Sequence, residues 1–244
     1  MTGAQVMADM LKGYEVTHIF NVPAVLRTTM VELEKRTDIK RLHVHSEATA
    51  AYMADGYARA SGKPGICMAQ VIGALNLAAG LRDPYLAKAP VIAMTGGRDP
   101  KTKFRNVYQE VDDVPAFEPV TKFNATVDDV SRFPDMIRQA FRAATSGTPG
   151  PVHLQFRGNE GQIDAEEADM EPLIEEAFAQ LPAYRPEPSE ESLEKWKSYQ
   201  KLEPHQSTES LSGLFLADQE GYIALLRRER FRSVSIHLFL CWHI

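Results

Sequence analysis

Two spacings of apolar residues alternate along the first 160 positions. Gln5, Met7, Met10, Leu11 and Tyr14 mark a first helix, and VLRTTMVELEK (25–35) repeats that spacing. SEATAAYMADGYARA (46–60) is a third helix, ended by Ser61-Gly62 and Pro64. Between them lie compact runs of strand length: VTHIFNV (16–22), RLHVHS (41–46), GICMAQV (65–71), PVIAMTG (90–96), FNATV (123–127) and PVHLQF (151–156). Residues 73–87 supply one further helix and 130–144 another.

Continuous apolar strands separated by helices predict an α/β fold with a parallel sheet flanked by helices on both faces. In open sheets of this kind ligands bind beyond the carboxyl ends of the strands. That rule singles out Asn21 to Pro23, Ser46-Glu47, Gln70 to Asn76 and Thr95 to Arg98 as one functional rim.

The character changes after about residue 163. Residues 164–195 read as an acidic, proline-rich linker that includes LPAYRPEPSEES (181–192). Residues 196–244 show no clear period and end in the apolar SVSIHLFLCWHI. A segment of that size is too small for an independent core, so it reads as a poorly defined C-terminal tail.

A net charge of −6 argues against a general nucleic-acid or membrane-surface binder. No apolar run is long enough to span a bilayer, and the N-terminus has no secretory pattern. Cys67 and Cys241 form neither a disulfide framework nor a zinc spacing. A reducing, cytoplasmic location is the expectation.

Few residues carry chemistry on their own. Glu47 stands where the second strand candidate meets a helix. It is either a charge complementing the helix dipole, with Ser46 as N-cap, or a working acid. His43 and His45 share a strand face, but no third ligand has sensible spacing, and no metal site is assigned. Gly96-Gly97 gives a flexible strand exit. Asp112-Asp113 and Asp128-Asp129 read as markers of turns or helix starts. The GxGxxG, GxxxxGK[ST] and GxSxG motifs are all absent.

HSEATAAYMADGYARASGKPGICMA (45–69), GALNLAAGLRDPYLAKAPVIAMTGG (73–97), YQEVDD (108–113), PVTKFNATV (119–127) and ATSGTPGPVHL (144–154) follow one another in order. Together they resemble the N-terminal pyrimidine-binding (PYR) domain of thiamine diphosphate enzymes, closest to the acetolactate synthase-like group of 2-oxo acid decarboxylases and carboligases. The resemblance covers about residues 1–160 and implies a three-layer sandwich for residues 1–163. It also implies that Glu47 is catalytic. In the family this glutamate hydrogen-bonds a ring nitrogen of the cofactor's aminopyrimidine and shares a proton with it, while the organic chemistry belongs to the cofactor. Pro23, Gly73 and Asn76 match cofactor-binding positions, Gln109 matches a glutamine facing the active-site entrance, and Lys122 matches a lysine whose role is either functional or structural.

The departures are specific. Asn21 and Ala24 stand where the family has glycines around Val22-Pro23, and Ser46 replaces a histidine before the glutamate. Family members run to more than twice this length and carry a GDG motif that holds magnesium and the diphosphate in a separate domain. This sequence has no GDG. The resemblance therefore implies the aminopyrimidine half-site of a lyase or transferase acting on a small 2-oxo acid. It implies a truncated chain, inactive alone, with Mg2+ supplied only by the missing domain. Whether the chain is an enzyme by itself is left open. The alternative is a non-catalytic or split-enzyme subunit that docks a separate pyrophosphate-domain chain. The expected assembly is a homodimer, a tetramer or a complex with such a subunit.

Overall fold

A computed structural model describes residues 1–183 and 189–200. Residues 1–183 form one compact unit, and a second unit begins at 184. In the second unit only a helix (Glu190–Gln200) is described. The remainder of the expected tail, from 201 on, lies outside the described residues.

In the first unit, the chain runs α1 (Gly3–Gly13), β1 (His18–Asn21), α2 (Arg27–Arg36), β2 (Lys40–His43), α3 (Glu47–Ser61), β3 (Gly65–Ala69), α4 (Ala74–Gly80), α5 (Arg82–Ala87), β4 (Val91–Gly96), β5 (Phe123–Val127), α6 (Phe133–Thr145) and β6 (Val152–Phe156). All six strands are parallel, in the order β2-β1-β3-β4-β6-β5. Residues 73–87, expected as one helix, form two. Pro84 has no N–H and its ring would crowd the carbonyl of Gly80; the first helix accordingly stops at Gly80 and a new one starts at Arg82.

The strands bury both faces because their side chains alternate. Ile19, Ile66, Met68, Ile92, Met94 and Leu154 point into a core with Met7 and Leu11 of α1, Leu33 of α2 and Phe141 of α6. Phe20, Cys67, Ala69 and Ala93 point the other way, into a core with Ala50, Ala51 and Ala54 of α3 and Leu77 of α4. The alanines bring α3 close to the sheet, and Gly65 completes the approach: a Cβ there would stand 2.1 Å from the Ala54 carbonyl oxygen. Burial of that order, at roughly 25 cal/mol per Å2, is what holds the layers together.

Residues 164–183, expected as the start of a linker, belong to the first unit. Their acidity misleads because the acids are used. Asp164 is buried and accepts from the Thr29 N–H (2.8 Å) and hydroxyl (2.9 Å), and Glu175 pairs with Arg142. Thr2 and Glu167 form an antiparallel bridge, and Met170, Phe178 and Ala179 enter the core. Burial raises the Asp164 carboxyl above its ordinary range, against the lowering effect of the threonine hydrogen bonds.

Candidate functional site

β1 lies between β2 and β3, so its exit is flanked by the turns that lead into α3 and α4. This is the point where strand order reverses, and there the chemistry-bearing residues gather. Ser46 has the extended backbone of an N-cap, but its hydroxyl makes no capping bond. Glu47 is the acidic residue of the first turn of α3 and faces the β3–α4 turn.

That turn runs Gln70, then a 3-10 turn (Val71–Gly73), then α4. A Cβ on Gly73 would stand 2.4 Å from Glu47 Oε1. Asn76 Nδ2 donates to Glu47 Oε2 at 3.2 Å. One carboxylate oxygen is thus held by an amide, and the other lies over a surface that only a glycine leaves open. Glu47 is half-buried and Asn76 exposed, so the carboxylate is fixed yet reachable.

Gln109 joins the group indirectly. Gln70 Nε2 donates to Gln109 Oε1 at 2.7 Å, which brings Gln109 to the turn that carries Gly73. Pro23 is exposed in the turn after β1, and among the described residues no hydrogen bond joins it to Glu47, Gly73 or Asn76. The following residues take strained backbone: Ala24 has φ +77° and Leu26 φ +46°. Leu26 is held by its N–H to the Glu160 carbonyl and by packing on Gly161.

The remaining candidates separate from this group. His43 and His45 are exposed. Among the described residues no set of three or more His, Cys, Asp or Glu side chains is arranged for a metal. Lys122 Nζ donates to the carbonyls of Ala143 (2.7 Å) and Ser146 (2.9 Å), capping the end of α6. A cleft of about 530 Å3 over the ends of β4 and β6 is lined by residues including Arg98, Lys101, Glu110, Arg157 and Glu166, and does not include Glu47.

Two buried polar groups escaped sequence reading. His153 is stacked on Phe117, with Nε2 2.8 Å from the Thr95 hydroxyl and Nδ1 2.7 Å from Asn124 Oδ1. Burial lowers its pKa to about 3, which keeps it neutral. Asp113, expected as a turn marker, does precede a 3-10 helix, but its carboxylate is buried and accepts from Gln155 Nε2 at 2.6 Å. Its Oδ2 has no partner. Burial pushes Asp113 up to about 6, against the lowering effect of the hydrogen bond from Gln155. The signal for Gln155 was present: His153 and Gln155 break an apolar strand two residues apart, on one face.

Residues 1–116 match the family described as "Thiamine pyrophosphate enzyme, N-terminal TPP binding domain". Similar curated proteins include a probable acetolactate synthase large subunit of Methanocaldococcus jannaschii, 33% identical over 76% of this chain and 31% of its own length. The chloroplastic acetolactate synthase of Arabidopsis thaliana is 34% identical over 78% of this chain and 28% of its own length. The acetolactate synthase of Bacillus subtilis is 30% identical over 63% of this chain and 27% of its own length. The chain spans less than a third of the length of these relatives.

Proposed function

Because residues 1–116 match the N-terminal TPP-binding domain family of thiamine pyrophosphate enzymes, we propose that this chain supplies the aminopyrimidine half-site for thiamine diphosphate in acetolactate synthase-like 2-oxo acid chemistry. The observation that carries the reading is the Glu47 carboxylate, held by Asn76 and laid over Gly73. A carboxylate of this kind suits a heteroaromatic ring. Oε1 can accept from or share a proton with a ring nitrogen, the Asn76 bond fixes the direction of the carboxylate, and Gly73, lacking a side chain, leaves the carboxylate room to stand there. The residues present fit the group.

When bound, the cofactor supplies the carbon nucleophile for decarboxylation or carboligation. The chain's own contribution is positional. Glu47 holds or moves one proton at its Oε1, Asn76 and Gly73 set where that oxygen stands, and Gln109 lies on the substrate side of the turn. Magnesium and the diphosphate are assigned to residues other than those described, because a divalent site needs a near-octahedral set of oxygens. Lyase and transferase outcomes share this half-site, and a small 2-oxo acid is the substrate class.

A partner completes the site in this proposal. Tyr52 and Met53 on α3, Ile72 in the 3-10 turn before α4 and Leu75 on α4 are exposed, on the helix that carries Glu47 and on the segment it faces. An apolar surface next to a half-site fits a second copy of the chain, in a homodimer or tetramer. A separate pyrophosphate-domain subunit would serve the same end. No described helix is long and apolar enough to cross a membrane.

Equilibrium dialysis of radiolabelled thiamine diphosphate against the chain and against Glu47→Gln tests the reading. Binding weakened at least tenfold by the substitution is expected. Equal binding by both proteins contradicts it.

A further inference from the structure

Between β4 and the 3-10 helix Val114–Val120, residues 97–113 form an irregular strap with a single short 3-10 turn, Pro100–Thr102. Phe104, Asn106 and Gln109 all have positive φ, and the Phe104 and Tyr108 side chains are 85% and 76% exposed. The strap has almost no core of its own, so its course depends on its tethers. Gln109 meets Gln70, Asn159 Nδ2 donates to the Tyr108 carbonyl at 3.2 Å, and Arg98 pairs with Asp112 at 2.9 Å across the base of the loop.

One side chain touches both roots. Gln155 projects from β6 and is buried. At the first root, a Cβ on Gly97 would stand 2.4 Å from Gln155 Cδ, so the glycine and the amide are in contact. At the second root, Gln155 Nε2 donates to Asp113 Oδ1 at 2.6 Å. The sheet order makes this possible, because β6 lies next to β4, whose exit is Gly97.

We propose that Gln155 and Asp113 are positioning residues: the pair clamps both roots of the 97–113 strap and thereby sets where Gln109 stands against Gln70 and the Gly73 turn. Its consequence for cofactor or substrate rests on the half-site reading above, but the clamp itself does not. Asp113 also makes the clamp sensitive to protonation. Its Oδ2 is buried without a partner, and the charged groups that face it are Arg98 and Asp112, already paired with each other. The neutral acid sits in this place more readily than the anion, and the change falls at about pH 6.

The test is a pH titration of the full chain labelled with 15N-glutamine, with no cofactor present, following the side-chain amide signals of Gln155, Gln109 and Gln70. All three are expected to move together with a midpoint about pH 6, and Asp113→Asn is expected to abolish the movement while leaving Gln109 near its low-pH position. Gln155→Glu, which sets two carboxyl groups against each other, is expected to shift Gln109 and Gln70 at pH 7.5. Gln109 and Gln70 signals that stay still while Gln155 titrates overturn the proposal. So does a titration that survives in Asp113→Asn, which is conservative enough to fold even if Gln155→Glu is not. A failure here leaves the thiamine diphosphate measurement untouched.

Discussion

Gly73 makes room for the carboxylate of Glu47: a methyl group on its α-carbon would stand 2.4 Å from Oε1, well inside contact distance. Gly73 has φ −89°, an ordinary value, so its need for glycine is one of space and not of backbone freedom. Gly73→Ala is therefore expected to fold and to turn the carboxylate away. Losing one hydrogen bond to a charged group costs about 1.5–3 kcal/mol, which is roughly a ten- to hundredfold loss of thiamine diphosphate affinity. Calorimetric titration of wild type and variant, with circular dichroism as a check on folding, measures both halves of the expectation.

Ala24 has φ +77° in the turn after β1. An L-residue there carries about 1–2 kcal/mol of left-handed strain, and glycine gives part of that back as chain entropy. Ala24→Gly is expected to stabilise the chain by about 0.5–1 kcal/mol. Urea unfolding decides the sign, and a less stable variant would show that the alanine methyl is held by packing.

The same turn shows how far the sequence could be read. That the position wants glycine was legible, because Ala24 stands where the resembled family has one. The strands were legible too, since a parallel sheet buried on both faces writes itself as short apolar runs. That Glu47 and Gly73 share a rim followed from the rule on strand exits; their direct contact did not, because it depends on where the Glu47 side chain turns. The Asp113–Gln155 pair was not legible. It depends on β6 lying beside β4 and ahead of β5, and no local pattern encodes strand order. Residues 164–183 misled for a related reason: Asp164 and Glu175 look like solvated charges until Thr29 and Arg142 are placed beside them.

Asp113 and His153 act in opposite directions on stability. Asp113 is raised to about 6. Between about pH 4 and pH 6 the folded chain keeps a proton that the unfolded chain has lost, so this group's contribution falls as pH rises. His153 is lowered to about 3. Below about pH 6.5 the unfolded chain gains a proton that the folded chain refuses, so its contribution falls as pH drops. Asp113→Asn removes only the first effect. Its stability relative to wild type is expected to grow from pH 4 to pH 6 and then level, by on the order of 2 kcal/mol. Denaturant unfolding across that range measures it, and a constant difference would place the Asp113 pKa near that of an ordinary carboxyl.

Lys122 separates structure from function. Its ammonium caps two carbonyls at the end of α6, and Gly150 packs on its stem. Lys122→Met leaves those carbonyls unpaired and is expected to cost about 1–2 kcal/mol. Cofactor affinity should not change. A drop in affinity at unchanged stability would move Lys122 into the site.

The half-site itself is tested most directly by NMR titration of thiamine diphosphate into the chain, observing the Gly73 backbone and Asn76 side-chain amides, with and without magnesium. Binding is expected to be weak, to move both signals, to be indifferent to magnesium and to be lost in Glu47→Gln. Still signals, or movement that persists in Glu47→Gln, would contradict the assignment of Glu47 as the group that receives the pyrimidine.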